Sequence, residues 1–126
     1  MDEWLDIDPQ IQYFVDRSCP PTWQLLRNKI PFHDLNFIYA GEAVYTIDGT
    51  TYHLKAGDLL YAPPGSIREA VTDKQNLMSC YDFNFKLPLH QSQLKLPFKT
   101  VTKVGLPEEL LRLYREFTYL WLEKEP

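Results

Sequence analysis

The chain has 126 residues, is 44% hydrophobic and 14% aromatic, and carries a formal net charge of −4. That length encloses one core rather than two, the composition excludes a disordered chain, and no apolar run approaches the roughly 20 residues that a membrane-spanning helix needs. Its 13 bases are scattered under a net negative charge, which argues against direct binding to a phosphate backbone.

The opening "MDEWLDIDPQ" has acids where a secretory signal has bases, and no apolar segment follows, so the sequence predicts a protein that is not exported and works in the cytoplasm. Between residues 11 and 86, short runs rich in Tyr, Phe, Val, Ile and Thr alternate with Gly, Pro and Asp. That is the texture of an all-β domain. "IQYFVDR" predicts a strand closed by "SCPP". "DLNFIYAGEAVYTIDGTTYHL" predicts three more, with Asp48-Gly49 as a two-residue hairpin turn, and "GDLLYAPPG", "IREAVT" and "LMSCYDFNF" complete the set. About seven short strands must close into a barrel or stack as a sandwich, because a flat sheet would leave long edges free to pair with other chains. The two cysteines, Cys19 and Cys80, form no CxxC and no metal-type cluster, which fits a reducing compartment; a disulfide between them stays open at this stage.

Residues 87–106 read as a connecting segment and residues 107–126 as a helix. Pro107 suits a first helical position, Glu108 and Glu109 suit the positive end of the helix dipole, and Lys124 suits the other end. Leu110, Leu113, Tyr114, Phe117, Leu120 and Trp121 recur at the spacing of one broad face. A helix of about 18 residues is roughly 27 Å long, enough to cross a face of a small barrel. Leu111 and Trp121 widen the stripe and leave room for a partner chain, so a homodimer is expected.

The order of strand, Gly41, hairpin and "TYHLKAGDLLYAPPG" resembles the cupin fold. More narrowly it resembles the N-terminal effector-binding and dimerisation domain of AraC-family transcription regulators, over residues 11 to 124 and most specifically from Arg27 to Glu69. The resemblance implies a mainly β protein: an antiparallel, jelly-roll type β-barrel over residues 11–86, followed by a C-terminal amphipathic α-helix. It implies a small polar effector, often a sugar, inside the barrel, and helices that dimerise. It also implies a separate domain with two helix-turn-helix motifs for reading DNA, which these residues do not supply. The chain is therefore expected to be a sensor half that reaches DNA only through that other domain. Residues 1–10, with Trp4 and Leu5 among acids, match in position the arm that closes over ligand in some members.

Cupin enzymes carry a metal on a first motif with two His and a Glu ahead of a Gly, and on a second with Gly, Pro, Gly, His and Asn in order. Here the second motif matches at Gly57, Pro63 and Gly65, then has Arg68 in place of the His and Thr72 in place of the Asn. Asp34 holds the Glu position, and the two His positions fall among Arg27, Asn28, Lys29 and Ile30. His33, His53 and His90 share no ligand spacing, and a guanidinium keeps its proton, so neither a metal nor another cofactor is expected. Arg68 is expected to serve an organic anion or polyol, or to pair with an acid inside the barrel.

Strand alternation sets Asp34 with Asn36 and Ile38, and Asp82 with Asn84, against the opposite rows Leu35, Phe37, Tyr39 and Tyr81, Phe83, Phe85. Only one row of each strand lines the cavity. Aromatics inside would avoid burying polar groups; aromatics outside would need the helix as their cover, with Phe83 and Phe85 packed on Leu110, Phe117 and Trp121. The resemblance favours the second arrangement, in which Asp34, Asn36, Arg68, Asp82 and Asn84 converge to hold several hydroxyls. Arg27 is a candidate second fork on the same ligand or a surface ion-pair partner, and Trp23 and Tyr13 are candidate stacking walls or plain core. Three functions follow: a non-enzymatic sugar sensor, a metal-dependent cupin enzyme, or a dimerisation module whose interior is filled by its own side chains.

Overall fold

Two-residue alternation and tight turns organise the chain into nine strands in the computed structural model, which describes residues 6–123. They are β1 (Gln10–Ser18), β2 (Gln24–Lys29), β3 (His33–Ala40), β4 (Glu42–Ile47), β5 (Thr50–Lys55), β6 (Asp58–Ala62), β7 (Ile67–Thr72), β8 (Ser79–Lys86) and β9 (Val101–Lys103), followed by α1 (Glu108–Glu123). The strands form two antiparallel sheets, a five-stranded one in the order β1-β8-β3-β6-β9 and a four-stranded one in the order β2-β7-β4-β5. The Asp48-Gly49 turn joins β4 to β5 with positive φ at both residues, 49° and 84°, as a tight hairpin requires. Gly41 also has a positive φ, and a Cβ placed there would lie 1.9 Å from the carbonyl oxygen of Leu77, so the β3–β4 corner admits only glycine.

Two strands were not legible in the sequence. Leu25 is the one partly buried residue of β2, and the other five are exposed, so the strand has no alternation to read. β9 is three residues long and pairs with β6 inside the stretch expected to be a connector. Both are edge strands, held by backbone hydrogen bonds more than by side-chain burial.

The core has two storeys. Ile30, Ile38, Tyr45, Leu54, Leu60, Ala70, Met78 and Cys80 pack between the sheets. On the outer face of the five-stranded sheet, Phe14, Phe37 and Tyr81 pack under Leu110, Leu111, Tyr114, Phe117 and Trp121 of α1. Leu113 and Leu120, expected in the docked face, are 58% and 63% exposed, because successive residues turn about 100° and the row centred on Tyr114 and Phe117 takes Leu111 instead. Phe85 does not join this cluster: it packs with Tyr61 and Leu96 farther along the same face and stacks on His33 at 4.8 Å.

Trp4 and Leu5 of the expected arm, and Lys124 of the expected helix end, lie outside the described residues. Asp6–Pro9 run along the outer face. The Asp8 amide donates to Gln91 Oε1 and Gln91 Nε2 donates to the Asp6 carbonyl, each at 2.9 Å, while Ile7 packs with Tyr61 and Phe85. Cys19 and Cys80 are both buried free thiols. Among the described residues no helix is long and apolar enough to cross a membrane.

Candidate functional site

The ladder between β3 and β8 pairs Asp34 with Asn84 and Asn36 with Asp82. Directly opposed residues share a face with Cβ atoms about 4.5–5.5 Å apart, so these four side chains form a checkerboard of two carboxyls and two amides. The checkerboard faces the other sheet: Asp34 and Asn36 are fully buried, Asp82 is 3% exposed and Asn84 is half-buried. Of the aromatic row of β8, Tyr81 and Phe83 pack under α1 and Phe85 packs with Tyr61 and Leu96, so it is the polar row that faces the other sheet. Residue by residue, the structure brings Asp34, Asn36, Asp82 and Asn84 together and sets Arg68 against them.

Across the gap, β7 delivers Arg68 and β4 delivers Tyr45. Arg68 Nη1 donates to Asp34 Oδ2 in a buried ion pair, and the guanidinium also lies 5.6 Å from the centre of the Phe32 ring. Asn36 Nδ2 donates to the Tyr45 hydroxyl at 2.6 Å. Four oxygens are left buried with no hydrogen-bond partner: Asp34 Oδ1, Asn36 Oδ1, Asp82 Oδ1 and Asn84 Oδ1. Each orphaned acceptor costs about 1–3 kcal/mol, so the cluster is held in place against a local penalty.

Burial, and then the charge of Asp34 and a hydrogen bond to it, push the Asp82 carboxyl well above the usual carboxylate range. A protonated carboxyl at Asp82 can donate one hydrogen bond, whereas the amide oxygens of Asn36 and Asn84 can only accept. Burial also raises the Tyr45 hydroxyl and the Cys80 thiol far above their ordinary values, so both keep their protons and neither serves as a nucleophile.

Arg27 does not join this group. It is exposed and lines a surface cleft of about 500 Å³ with Thr46, Asp48, Gly49, Ile67 and Glu69, and Ile67 and Glu69 flank Arg68 on the opposite face of β7. In the β2–β7 ladder, which is irregular between Leu25 and Asn28, it is Asn28 and not Arg27 that pairs with Arg68. Trp23 packs against the interlayer core 6.4 Å from the Tyr45 ring, while Tyr13 is 43% exposed. Thr72, in the motif's Asn position, accepts from the Met78 amide at 2.8 Å and so closes a loop.

A second cleft, of about 520 Å³, is lined by His33, Tyr61, Lys95 and Phe98 among others. His33 Nδ1 and the Tyr61 hydroxyl share a hydrogen bond of 2.7 Å, and burial lowers the His33 pKa, so the ring stays neutral. Among the described residues no group of three or more His, Cys, Asp or Glu side chains is placed to hold a metal ion. The interior donor set does not fit one either, because Arg68 sits on Asp34 where a cation would have to bind.

Tyr45 and Arg17 are the interior polar residues that sequence reasoning missed. Tyr45 was findable, since alternation through "AVYTI" sets it on one face with Ala43 and Ile47. Arg17 became visible only through the β1–β8 register, which pairs it with Cys80.

A family described as "AraC-like ligand binding domain" matches residues 7–94. The chain belongs to that family. As such it is a ligand-sensing domain of the kind found in regulators, built on the expected mainly β, cupin-like architecture. Among solved structures it resembles a cupin protein from Bacteroides fragilis, at 19% identity over 69% of this chain and 72% of that one with a TM-score of 0.53. The protein YhaK from Escherichia coli matches at 18% identity over 77% of this chain and 43% of its own, with a TM-score of 0.60. A predicted oxalate decarboxylase from Thermotoga maritima matches at 20% identity over 60% and 68%, with a TM-score of 0.50. These likenesses show a shared fold. No curated protein matches the sequence closely enough to count as a relative.

Proposed function

We propose that this domain senses a small polyhydroxylated effector, a carbohydrate, held between the sheets by Asp34, Asn36, Arg68, Asp82 and Asn84, and that it is not an enzyme. The observation that carries the reading is the set of four buried oxygens without donors. Sugar hydroxyls are donors that also accept, and a ring bearing several of them meets several orphaned acceptors at once. In this reading the domain works as a cytoplasmic homodimer through α1, and ligand occupancy is passed to a DNA-binding domain carried elsewhere in the regulator. Signalling requires the effector to favour one arrangement of the dimer over another.

The Arg68–Asp34 ion pair favours a second reading, in which the interior neutralises itself and the domain only dimerises. Thermal-shift and calorimetric titration of the domain with pentoses, hexoses and their acids separates the two, using Asn84→Leu as the site variant. A ligand at about 100 times its dissociation constant adds about 2.7 kcal/mol, several degrees in a domain of this size. The sensor reading expects a sugar-dependent shift that Asn84→Leu removes. The packed reading expects no shift with any sugar and a variant at least as stable as wild type, since the substitution deletes an orphaned amide. One equivalent of iron, manganese or zinc in protein purified without chelator would overturn the non-enzymatic assignment.

A further inference from the structure

The face of β1 shared with the polar row of β8 carries Tyr13, Val15 and Arg17, whose ladder partners are Asn84, Asp82 and Cys80. β1 ends one sheet and β2 ends the other. The two edges meet at Arg17, whose guanidinium carbon lies 5.4 Å from the centre of the ring of Trp23, next to the first residue of β2. Exposure falls steeply inward from this edge, from Tyr13 at 43% and a half-buried Arg17 to Asp82 at 3%. The β1–β2 edge thus stands between solvent and the polar interior, with one stacked pair across it.

Among the described residues, the charges along this edge do not balance. Arg68 is neutralised by Asp34, whereas Arg17 forms no ion pair among the described residues. Its guanidinium lies over the Trp23 ring. The acid next to it in sequence, Asp16, points to the other face and accepts from the Tyr39 hydroxyl at 2.6 Å. The acid nearest it on β8, Asp82, has its carboxyl pushed above the usual carboxylate range by burial and by the charge of Asp34, which weakens it as a counter-charge. Among the described residues, the positive charge of Arg17 at the rim has no carboxylate within ion-pair distance. A stacked guanidinium is pre-oriented to fork onto a carboxylate through two parallel N–H···O bonds.

We propose that ligand passes between β1 and β2 and that Arg17 there binds a carboxylate on it, so that the effector of this domain is a sugar acid rather than a neutral sugar. This rests on the carbohydrate reading of the interior, which supplies the partners for the hydroxyls. The test is isothermal titration of wild type, Arg17→Gln and Arg17→Lys with pentoses and hexoses, each paired with its uronic or aldonic acid. In wild type at least one acid is expected to bind on the order of tenfold or more tightly than its neutral parent, the size of a charge-assisted contact. Arg17→Gln should collapse that preference, weakening the acid far more than the parent, and Arg17→Lys should restore part of it by returning charge without the fork. Thermal melts check that both variants are folded. Equal affinity for acid and parent, or a preference that survives Arg17→Gln, overturns the role of Arg17 and leaves the sugar site standing. A panel with no binder at all overturns the sugar site and this inference together.

Discussion

β8 shows two surfaces in alternate residues. Outward, Tyr81 and Phe83 belong to a completed aromatic layer: Tyr81 stacks on Tyr114 at 4.7 Å, Phe37 on Tyr114 at 5.3 Å, and Phe14 meets Phe117 edge-on at 4.8 Å. Inward, Asp82 and Asn84 belong to a polar layer with orphaned oxygens. The outer surface shows a fold whose needs are met within the chain, and the inner one has groups that still want partners. The outer row is satisfied by packing on α1, whereas the inner row adds to the interlayer core a set of acceptors without donors.

Perturbing each face in turn sharpens the contrast. The largest effect is expected from Asp34→Ala, which strands the buried Arg68 and should cost about 3–5 kcal/mol in a chemical denaturation midpoint analysis. The double variant Asp34→Leu with Arg68→Met should recover most of that loss or exceed wild type, because apolar side chains of similar size need no counter-charge. If the double variant is as unstable as the single one, the pair contributes more than mutual neutralisation.

On the outer face, Phe14→Ala should cost about 3 kcal/mol through the cavity left under Phe83, Phe117 and Trp121. The loss should be insensitive to pH, unlike anything done to the inner face. A Phe14→Ala loss that varied with pH would break the distinction between the two layers.

Asp82→Asn should change a slope more than a level. The folded-state pKa of Asp82 is raised above its ordinary value of 3.8, so the stability that its proton confers is complete below 3.8 and is lost as pH rises through the folded value. An amide carries no such dependence, so the melting temperature of Asp82→Asn should gain on wild type as pH rises from about 4 to about 9. Parallel profiles would mean that Asp82 is ionised in the folded protein.

The smallest effect on stability is expected from Leu113→Glu with Leu120→Glu, within about 0.5 kcal/mol per site, since both are exposed in the single chain. In sedimentation velocity the pair should convert the proposed dimer to a monomer. Unchanged sedimentation would move the self-association surface away from this flank of α1.

Much of this organisation was written in local pattern. The Asp48-Gly49 hairpin, the Gly41 corner, seven of the nine described strands and the closing helix follow from turn chemistry and residue period, which act between near neighbours. The same period grouped Asp34 with Asn36 and Asp82 with Asn84. It missed β2 and β9, because exposed or very short edge strands bury too little to leave a period; Arg27, proposed from resemblance rather than from period, is exposed and stands apart from the polar interior. Which row of β8 faces inward was undetermined, since both faces are covered, one by the other sheet and one by α1. That choice, the Arg68–Asp34 pair, the Asn36–Tyr45 bond and the approach of Arg17 to Trp23 all join elements far apart in the chain. Alternation assigns residues to a face, but only packing assigns that face a neighbour, and the chemistry of this interior depends on the neighbours.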